Sequence, residues 1–143
     1  MSGNIDQFRA DLRANLLATA ASFDRLNAIL FQTATRTEQE LREQLAILDE
    51  TAELTRFRAI AANADFNRWM EEARSEAFEK VADWKSKRQT SRLHARADRL
   101  ERCASTAVEL ALLAMQEAER TVLGAILARK ETISIQVQRN DGV

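Results

Sequence analysis

Residues 41–66, LREQLAILDETAELTRFRAIAANADF, decide the fold of this chain, and they contain neither Pro nor Gly. Apolar or small residues recur in this stretch every three or four positions. They are Leu41, Leu45, Leu48, Ala52, Thr55, Ala59, Ala62 and Phe66. Such spacing places the side chains along one face of an α-helix. The stretch therefore predicts a long amphipathic helix.

The same helical phase extends in both directions from this stretch. It continues through Met70, Ala73, Ala77, Val81 and Trp84. Before the stretch, Thr35 with Glu38 and Thr37 with Glu40 form two overlapping capping boxes, which satisfy free amides at a helix start. We therefore expect one helix over about residues 36–85. A break at residues 63–65, where Asp65 offers a cap, is the weaker alternative because the phase is preserved.

Two further helices are predicted from the same spacing. The first, over about residues 5–32, carries an apolar row of Ile5, Phe8, Leu12, Leu16, Ala20, Phe23, Leu26 and Leu30. The third, over about residues 91–131, carries Leu93, Ala97, Leu100, Ala104, Val108, Ala111, Met115, Ala118, Val122 and Ile126. The tail, residues 132–143, alternates apolar and polar residues, which favours an extended segment, but Ile133 keeps the helical phase. Both conformations of the tail stay open.

Composition agrees with an all-α chain. The 143 residues include no Pro, only three Gly and 25 Ala, and charged residues make up 30%. This mixture is typical of coiled-coil helices. We therefore predict a single domain, residues 1–143, folded as a long antiparallel helical bundle or coiled coil of three helices.

A second set of apolar residues predicts how the helices are arranged. On the second helix the set is Ile47, Leu54, Phe57, Ile60 and Ala64, and on the third it is Leu112, Leu113, Leu123 and Leu127. A helix that is apolar on two faces is expected to have two neighbours. Folding back at about residues 34 and 87 brings these segments together. The expectation is a three-helix body of residues 5–64 and 110–131, from which residues 65–109 project as a two-helix arm.

Charge is segregated along the chain although its net charge is only −1. Residues 36–83 hold 7 basic and 12 acidic residues, a net charge of −5, whereas residues 85–102 hold 7 basic and 2 acidic, a net charge of +5. Five of the basic residues recur at helical spacing and form a basic ridge: Lys85, Arg88, Arg92, Arg96 and Arg99. The ridge either grips nucleic-acid phosphates, with Trp84 stacking, or pairs with acidic residues 71–83. Pairing is favoured, because a near-neutral chain has no long-range attraction to DNA.

Three aromatic residues of the predicted arm complete the candidate interaction surface. Trp84 lies on the main apolar row and is expected in the core, whereas Trp69 and Phe78 lie on either side of that row. Aromatic residues are enriched at interface centres. Trp69, Phe78, Trp84 and the basic ridge are therefore the predicted interaction residues.

Several classes of function are disfavoured by residue types. His94 is the single His and Cys103 the single Cys, and no Glu-x-x-His pair accompanies them. No catalytic, cofactor-binding or metal-binding residue is predicted, and the chain is not expected to be an enzyme. No uncharged stretch exceeds ten residues, as in residues 14–23, which is half of the roughly 20 residues that span a bilayer. Without a signal-like start, the expected location is cytoplasmic, with no integral membrane association.

The sequence thus favours a non-enzymatic helical protein-protein interaction or scaffold module that self-associates through apolar helix faces. Its expected partner is a second copy, as a homodimer, or another helical protein. One alternative is an amphipathic coat for a lipid or other hydrophobic surface, although the second helix lacks the Lys/Arg bias of such coats. The other is a nucleic-acid binder that uses the basic ridge, residues 85–102.

Overall fold

The computed structural model describes the backbone of residues 2–32 and 35–141, and the side chains of residues 5–32 and 35–140. Within these residues the chain is all-α. The helices are α1 (Ser2–Phe31), α2 (Glu38–Glu50), α3 (Ala52–Ser75), α4 (Phe78–Ser86) and α5 (Thr90–Asp141). The predicted turn at residue 34 and the last two residues of the predicted tail lie outside the described residues.

Helix α5 organises the bundle because each of the other four helices packs against it. Three ion pairs fix the direction of α2, α3 and the start of the α4 segment relative to α5. Arg42 pairs with Glu131 at 3.4 Å and Arg58 with Glu109 at 3.1 Å. Glu76, at the end of α3, pairs with Arg96 at 3.6 Å. Residue numbers rise along α2–α4 as they fall along α5, so these helices run antiparallel to α5.

Helix α1 runs parallel to α5. The Ser22 hydroxyl donates to the Glu119 carboxylate at 2.8 Å, 97 residues further along the chain. Towards the start of α1, Phe8 lines a surface depression with Glu101 and Arg102, whereas towards its end Ile29 packs with Leu123. The backbone of α1 packs against α5 and not against α2 or α3 within the described residues. The predicted packing of the first helix along the second is therefore replaced by packing on α5.

The tightest apolar packing lies where α1 ends and α2 begins. A buried cluster there joins three helices and consists of Ile29, Leu41, Leu123 and Leu127, with Leu45, Leu48 and Ile126 packed around it. The N-cap of α2 fixes this junction, because the Thr37 side chain accepts from the Glu40 amide at 3.1 Å. Of the two predicted capping boxes, the second is the one that starts α2, at Glu38.

The predicted helix over residues 36–85 is divided in two places, neither of them at residues 63–65. Thr51 separates α2 from α3 with a backbone at φ −106° and ψ 1°. At the second break Glu76 and Ala77 are extended, and the Glu76 carboxylate turns to Arg96 and Arg99 of α5. Neither Pro nor Gly marks these breaks. Because the apolar residues keep the spacing of one continuous helix, the sequence did not predict them. The phase itself is retained from Leu41 to Ala73, and every position of that row is buried or half-buried.

The tail is helical up to Asp141, so α5 extends ten residues beyond the predicted end at residue 131. Ser134 donates to Glu38 at the start of α2 and Glu131 pairs with Arg42, which ties this part of α5 to the bundle. Ile135 and Val137 lie beyond these contacts and are exposed. The extended conformation that the alternation of apolar and polar residues favoured for the tail is therefore not formed up to residue 141.

Helix α1 differs most from its predicted amphipathicity. Its buried and half-buried positions follow a heptad: Phe8, Leu12, Asn15, Thr19, Ser22, Leu26 and Ile29. Three of these residues are polar. Leu16, Ala20 and Phe23, which the apolar row had assigned to the core, are exposed instead. The rotation is explained by Ser22 and Arg25, whose side chains bind the buried Glu119 carboxylate and so set which side of α1 faces α5.

Candidate interaction site

The basic ridge is divided by its own neighbours. Arg96 and Arg99 pair with Glu76 across the hairpin, and their side chains are 39% and 26% exposed. Arg92 lies over the Trp84 ring at 5.8 Å. Three members of the predicted ridge therefore make contacts within the chain, as the salt-bridge interpretation expects.

Lys85 and Arg88 lie at the α4–α5 turn and are exposed. Arg88 has φ 55°, in the left-handed region. The Gln89 amide donates to the Trp84 carbonyl at 2.8 Å and the Arg88 amide to the Lys85 carbonyl at 3.2 Å. These two bonds form a Schellman motif, whose left-handed position usually holds Gly. The tip of the hairpin thus carries Arg at a position that penalises any side chain.

The three candidate aromatic residues fall into different environments. Trp84 is buried against α5, as predicted for a core residue. Trp69 is half-buried between two guanidinium groups, Arg68 at 4.6 Å and Arg102 at 5.4 Å from its ring. Phe78 is 86% exposed at the start of α4. Of the three aromatics, Phe78 is the one whose ring is available to another molecule without rearrangement.

A larger apolar surface, called here the α2–α3 face, lies on the outside of α2 and α3. It consists of Ile47, Leu54, Phe57 and Ile60, each 59–66% exposed. These residues belong to the second apolar set of the predicted long helix, which was expected to pack within the chain. That expectation is wrong, because α1 packs against α5 and leaves these side chains uncovered.

Helix α5 has an unusual distribution of charge around its axis. Successive residues are rotated by about 100°. Between residues 97 and 128 the charged residues are Asp98, Arg99, Glu101, Arg102, Glu109, Glu117, Glu119 and Arg120. This rotation places all eight within the half of the circumference that faces α1 and α3, where Glu109, Glu119 and Arg120 form ion pairs. The outward half holds Ala104, Ala111 and Ala118 among uncharged residues only.

The outward residues of α1 and α5 lie on one side of the bundle. On α5, Arg120 and Ala118 lie on either side of Glu119, which faces α1. Because Arg120 points towards Asp49 of α2, Ala118 lies on the side away from α2. On α1, Arg25 lines a depression with residues of α2 and α3, and Phe23 lies on the other side of Ser22. We call this surface the α1–α5 face: Ile5, Leu16, Ala20 and Phe23 of α1, with Leu100, Ala104, Ala111, Met115, Ala118 and Val122 of α5.

A polar cluster closes the opposite flank of α5. Arg120 donates to Glu117, one turn earlier, and to Asp49 at 3.4 Å. The hydrogen bond from Arg120 lowers the pKa of Glu117, and the positive charge adds to this effect although partial burial opposes it. The same bond raises the pKa of Arg120. The cluster is an intramolecular clasp between α2 and α5, so this flank is less suited to an apolar partner.

Comparison with protein-family models, curated proteins and solved structures gives no match for this chain. No helix in the described ranges is long and apolar enough to cross a membrane. The function must therefore be argued from the exposed surfaces. The sequence-based prediction missed the α1–α5 face because it assigned both of its apolar rows to the core. The absence of charged residues from one half of the helix circumference between residues 97 and 128 could have indicated this face.

Proposed function

We propose that this chain is a non-enzymatic helical interaction module that self-associates through exposed apolar helix faces. The observation that carries the proposal is the exposure of large apolar side chains on several helices, represented by Leu16 and Phe23 of α1 and by Leu54 and Phe57 of α3. Single exposed apolar residues are ordinary, but contiguous apolar patches on soluble proteins usually mark interaction sites. The arm predicted over residues 65–109 is shorter in the structure, because α1 packs along α5 as far as the level of Trp69. The α4–α5 hairpin, in which α4 packs against α5 alone among the described helices, is proposed as the projecting arm.

The hairpin supports a role in protein contacts more than one in nucleic-acid binding. Arg96 and Arg99 already pair with Glu76, and breaking these pairs would offset part of any gain from phosphates. Lys85, Arg88 and Phe78 remain exposed at the tip and at the base of α4. These three residues form a second, smaller contact surface for a protein partner.

The test is the molar mass of the purified full chain, measured by light scattering at low and at high salt, with the absorbance ratio checked for bound nucleic acid. Self-association through apolar faces predicts about 32 kDa, twice the 16.2 kDa of one chain, at both salt concentrations. Apolar contacts are not weakened by salt, unlike contacts to phosphates. A salt-insensitive monomer contradicts the proposal.

One double variant and one vesicle experiment separate the competing functions. Arg88→Glu with Arg92→Glu should leave the mass unchanged, because neither residue belongs to an apolar face. If nucleic acid copurifies and these substitutions remove it, the basic ridge is the functional site and self-association is secondary. Addition of anionic lipid vesicles to the wild type tests the coat alternative, which predicts that the oligomer dissociates and binds the vesicles.

A further inference from the structure

We infer that two copies of this chain pair through the α1–α5 face as an antiparallel two-fold dimer, with α1 against α1 and α5 against α5 of the second copy. This inference rests on the proposed self-association and specifies the surface that performs it. The α2–α3 face is the rival surface, because its large apolar side chains are more exposed in one chain than those of the α1–α5 face.

The distribution of charge on α5 is the first argument. A surface helix normally turns its charged residues to solvent and its apolar residues inwards. Helix α5 departs from this pattern between residues 97 and 128: its large apolar side chains, such as Leu113 and Leu123, are buried as expected, but the charged residues, such as Glu119, lie on the same half of the helix and leave the outward half uncharged. An outward uncharged surface of this length is explained if another protein surface covers it.

The area is the second argument. Helices α1 and α5 run side by side over roughly 30 residues, about 45 Å, and together are about 20 Å wide. The resulting footprint of roughly 900 Å² reaches the ~800 Å² per partner of stable interfaces. The α2–α3 face runs from Ile47 to Ile60 along the outside of two successive helices and is only one helix wide, so its footprint is only roughly 200 Å². That face alone is too small to hold a stable dimer.

Symmetry is the third argument. On α5, Ala111 and Val122 of the α1–α5 face have their midpoint between residues 116 and 117. On α1 the midpoint of Leu16 and Phe23 lies between residues 19 and 20. Because Ser22 contacts Glu119, 97 residues later, this point on α1 is level with residues 116–117 of α5. A single two-fold axis at that level therefore exchanges the two members of each pair, as a closed dimer requires.

Charge on α1 favours the antiparallel orientation. An axis between residues 19 and 20 places Leu16 opposite Phe23 of the second copy. It also places Arg13 opposite residue 26, within one helical turn of Asp24 there. On the outer side of α1 the first half holds Asp6, Arg9 and Arg13, a net charge of +1, and the second half holds Asp24, a net charge of −1. Opposite charges thus meet across the axis and help to set the register.

Charge substitution in the two faces tests the inference. Leu16→Glu with Phe23→Glu should reduce the mass from about 32 kDa to 16.2 kDa. The matched control, Leu54→Glu with Phe57→Glu, should remain a dimer. All four side chains are more than half exposed in one chain, so neither pair should unfold the monomer, which circular dichroism checks.

Cross-linking tests the orientation. Ala20→Cys lies within one residue of the axis and is exposed in one chain, so on oxidation it should form a disulfide between two copies. The buried Cys103 is replaced by Ala in this background, and Ala61→Cys on the α2–α3 face is the control. A parallel dimer sets α1 against α5 and gives no Ala20→Cys link.

The outcomes distinguish the inference from the proposed function. A monomeric wild type overturns both. A dimeric wild type that survives Leu16→Glu with Phe23→Glu, or that is broken by the Leu54→Glu and Phe57→Glu control alone, overturns the α1–α5 face but leaves self-association standing. Loss of the dimer in the α1 variant with no Ala20→Cys link overturns the antiparallel orientation.

Discussion

Helix α1 and the kinked pair α2–α3 carry similar apolar rows but use them in opposite ways. The row of α2–α3 from Leu41 to Ala73 faces α5 and is buried or half-buried throughout. In α1 the positions towards α5 include Asn15, Thr19 and Ser22, whereas Leu16 and Phe23 point outwards. An apolar row shows that a helix has a partner. It does not show whether that partner belongs to the same chain.

The two regions also differ in what holds them to α5. At the α2 end, Leu41 contacts Leu123 and Leu127 in a cluster without polar side chains. In the middle of α1, the contact depends on a buried Glu119 carboxylate that accepts from Ser22 and Arg25. Apolar burial is non-directional, whereas these hydrogen bonds fix the rotation of α1.

The largest effect is expected in the apolar cluster. Leu123→Ala removes a fully buried side chain and should lower the free energy of unfolding by about 2–5 kcal/mol, since it leaves a cavity between three helices. Urea unfolding at a fixed protein concentration measures the change. The control is Phe57→Ala on the α2–α3 face, expected within about 0.5 kcal/mol of the wild type. Equal losses in both variants would show that Phe57 is covered.

Next in size is the polar anchor of α1. Glu119→Ala should lower the free energy of unfolding by about 1–3 kcal/mol, because it leaves the buried Ser22 hydroxyl without its acceptor. Glu119→Gln keeps an acceptor for Ser22 and should cost less. Hydrogen exchange of the α1 amides should increase more than that of α3. Unchanged exchange in α1 would mean that the anchor does not hold this helix.

A smaller effect of opposite sign is expected at the hairpin tip. Arg88→Gly should raise the free energy of unfolding by about 1 kcal/mol, since Gly adopts the left-handed conformation without steric cost. Lys87→Gly, at φ −87°, is the control and should not stabilise the chain. Thermal unfolding of the two variants provides the comparison. Destabilisation by Arg88→Gly would show that the Arg88 side chain makes a contact that outweighs the strain.

The smallest effect concerns the clasp at Glu117. The folded pKa of Glu117 is lowered, so its contribution is present at neutral pH and is lost as the pH falls through the lowered value. Both partners are partly exposed, and exposed pairs contribute about 0–1 kcal/mol. Glu117→Gln should therefore flatten the acid limb of the stability profile slightly. A profile identical to that of the wild type would show that the pairing of Glu117 with Arg120 does not contribute to stability.

The all-α bundle could be predicted from the sequence because Pro is absent, Gly is scarce and the apolar phase is long. The row of α2–α3 was located correctly because Leu41 and its successors coincide with the contacts to α5. The breaks at Thr51 and Glu76 could not be predicted, since neither Pro nor Gly marks them and the apolar spacing of the sequence continues across both. The sequence did not decide between a helical and an extended tail, because Ile133 fits both the helical spacing and the alternation of a strand.

The candidate interaction site could be predicted only in part from the sequence. Arg96, Arg99 and Trp84 were identified as a group, but their engagement with Glu76 and α5 depends on the antiparallel register of the hairpin. The outward turn of Phe23 depends on the long-range hydrogen bonds from Ser22 and Arg25 to Glu119. No local pattern encodes those bonds, so the rotation of α1 could not be derived from periodicity.

The most direct test of whether the outward row of α1 is covered is hydroxyl-radical footprinting of the wild-type chain in solution. Phe23 and Phe57 are the matched pair, with 51% and 66% exposure in one chain. If the α1–α5 face is an interface, Phe23 is protected from oxidation several-fold relative to Phe57 at concentrations that favour the dimer, and protection disappears on dilution. Comparable oxidation of the two rings at all concentrations would contradict the claim.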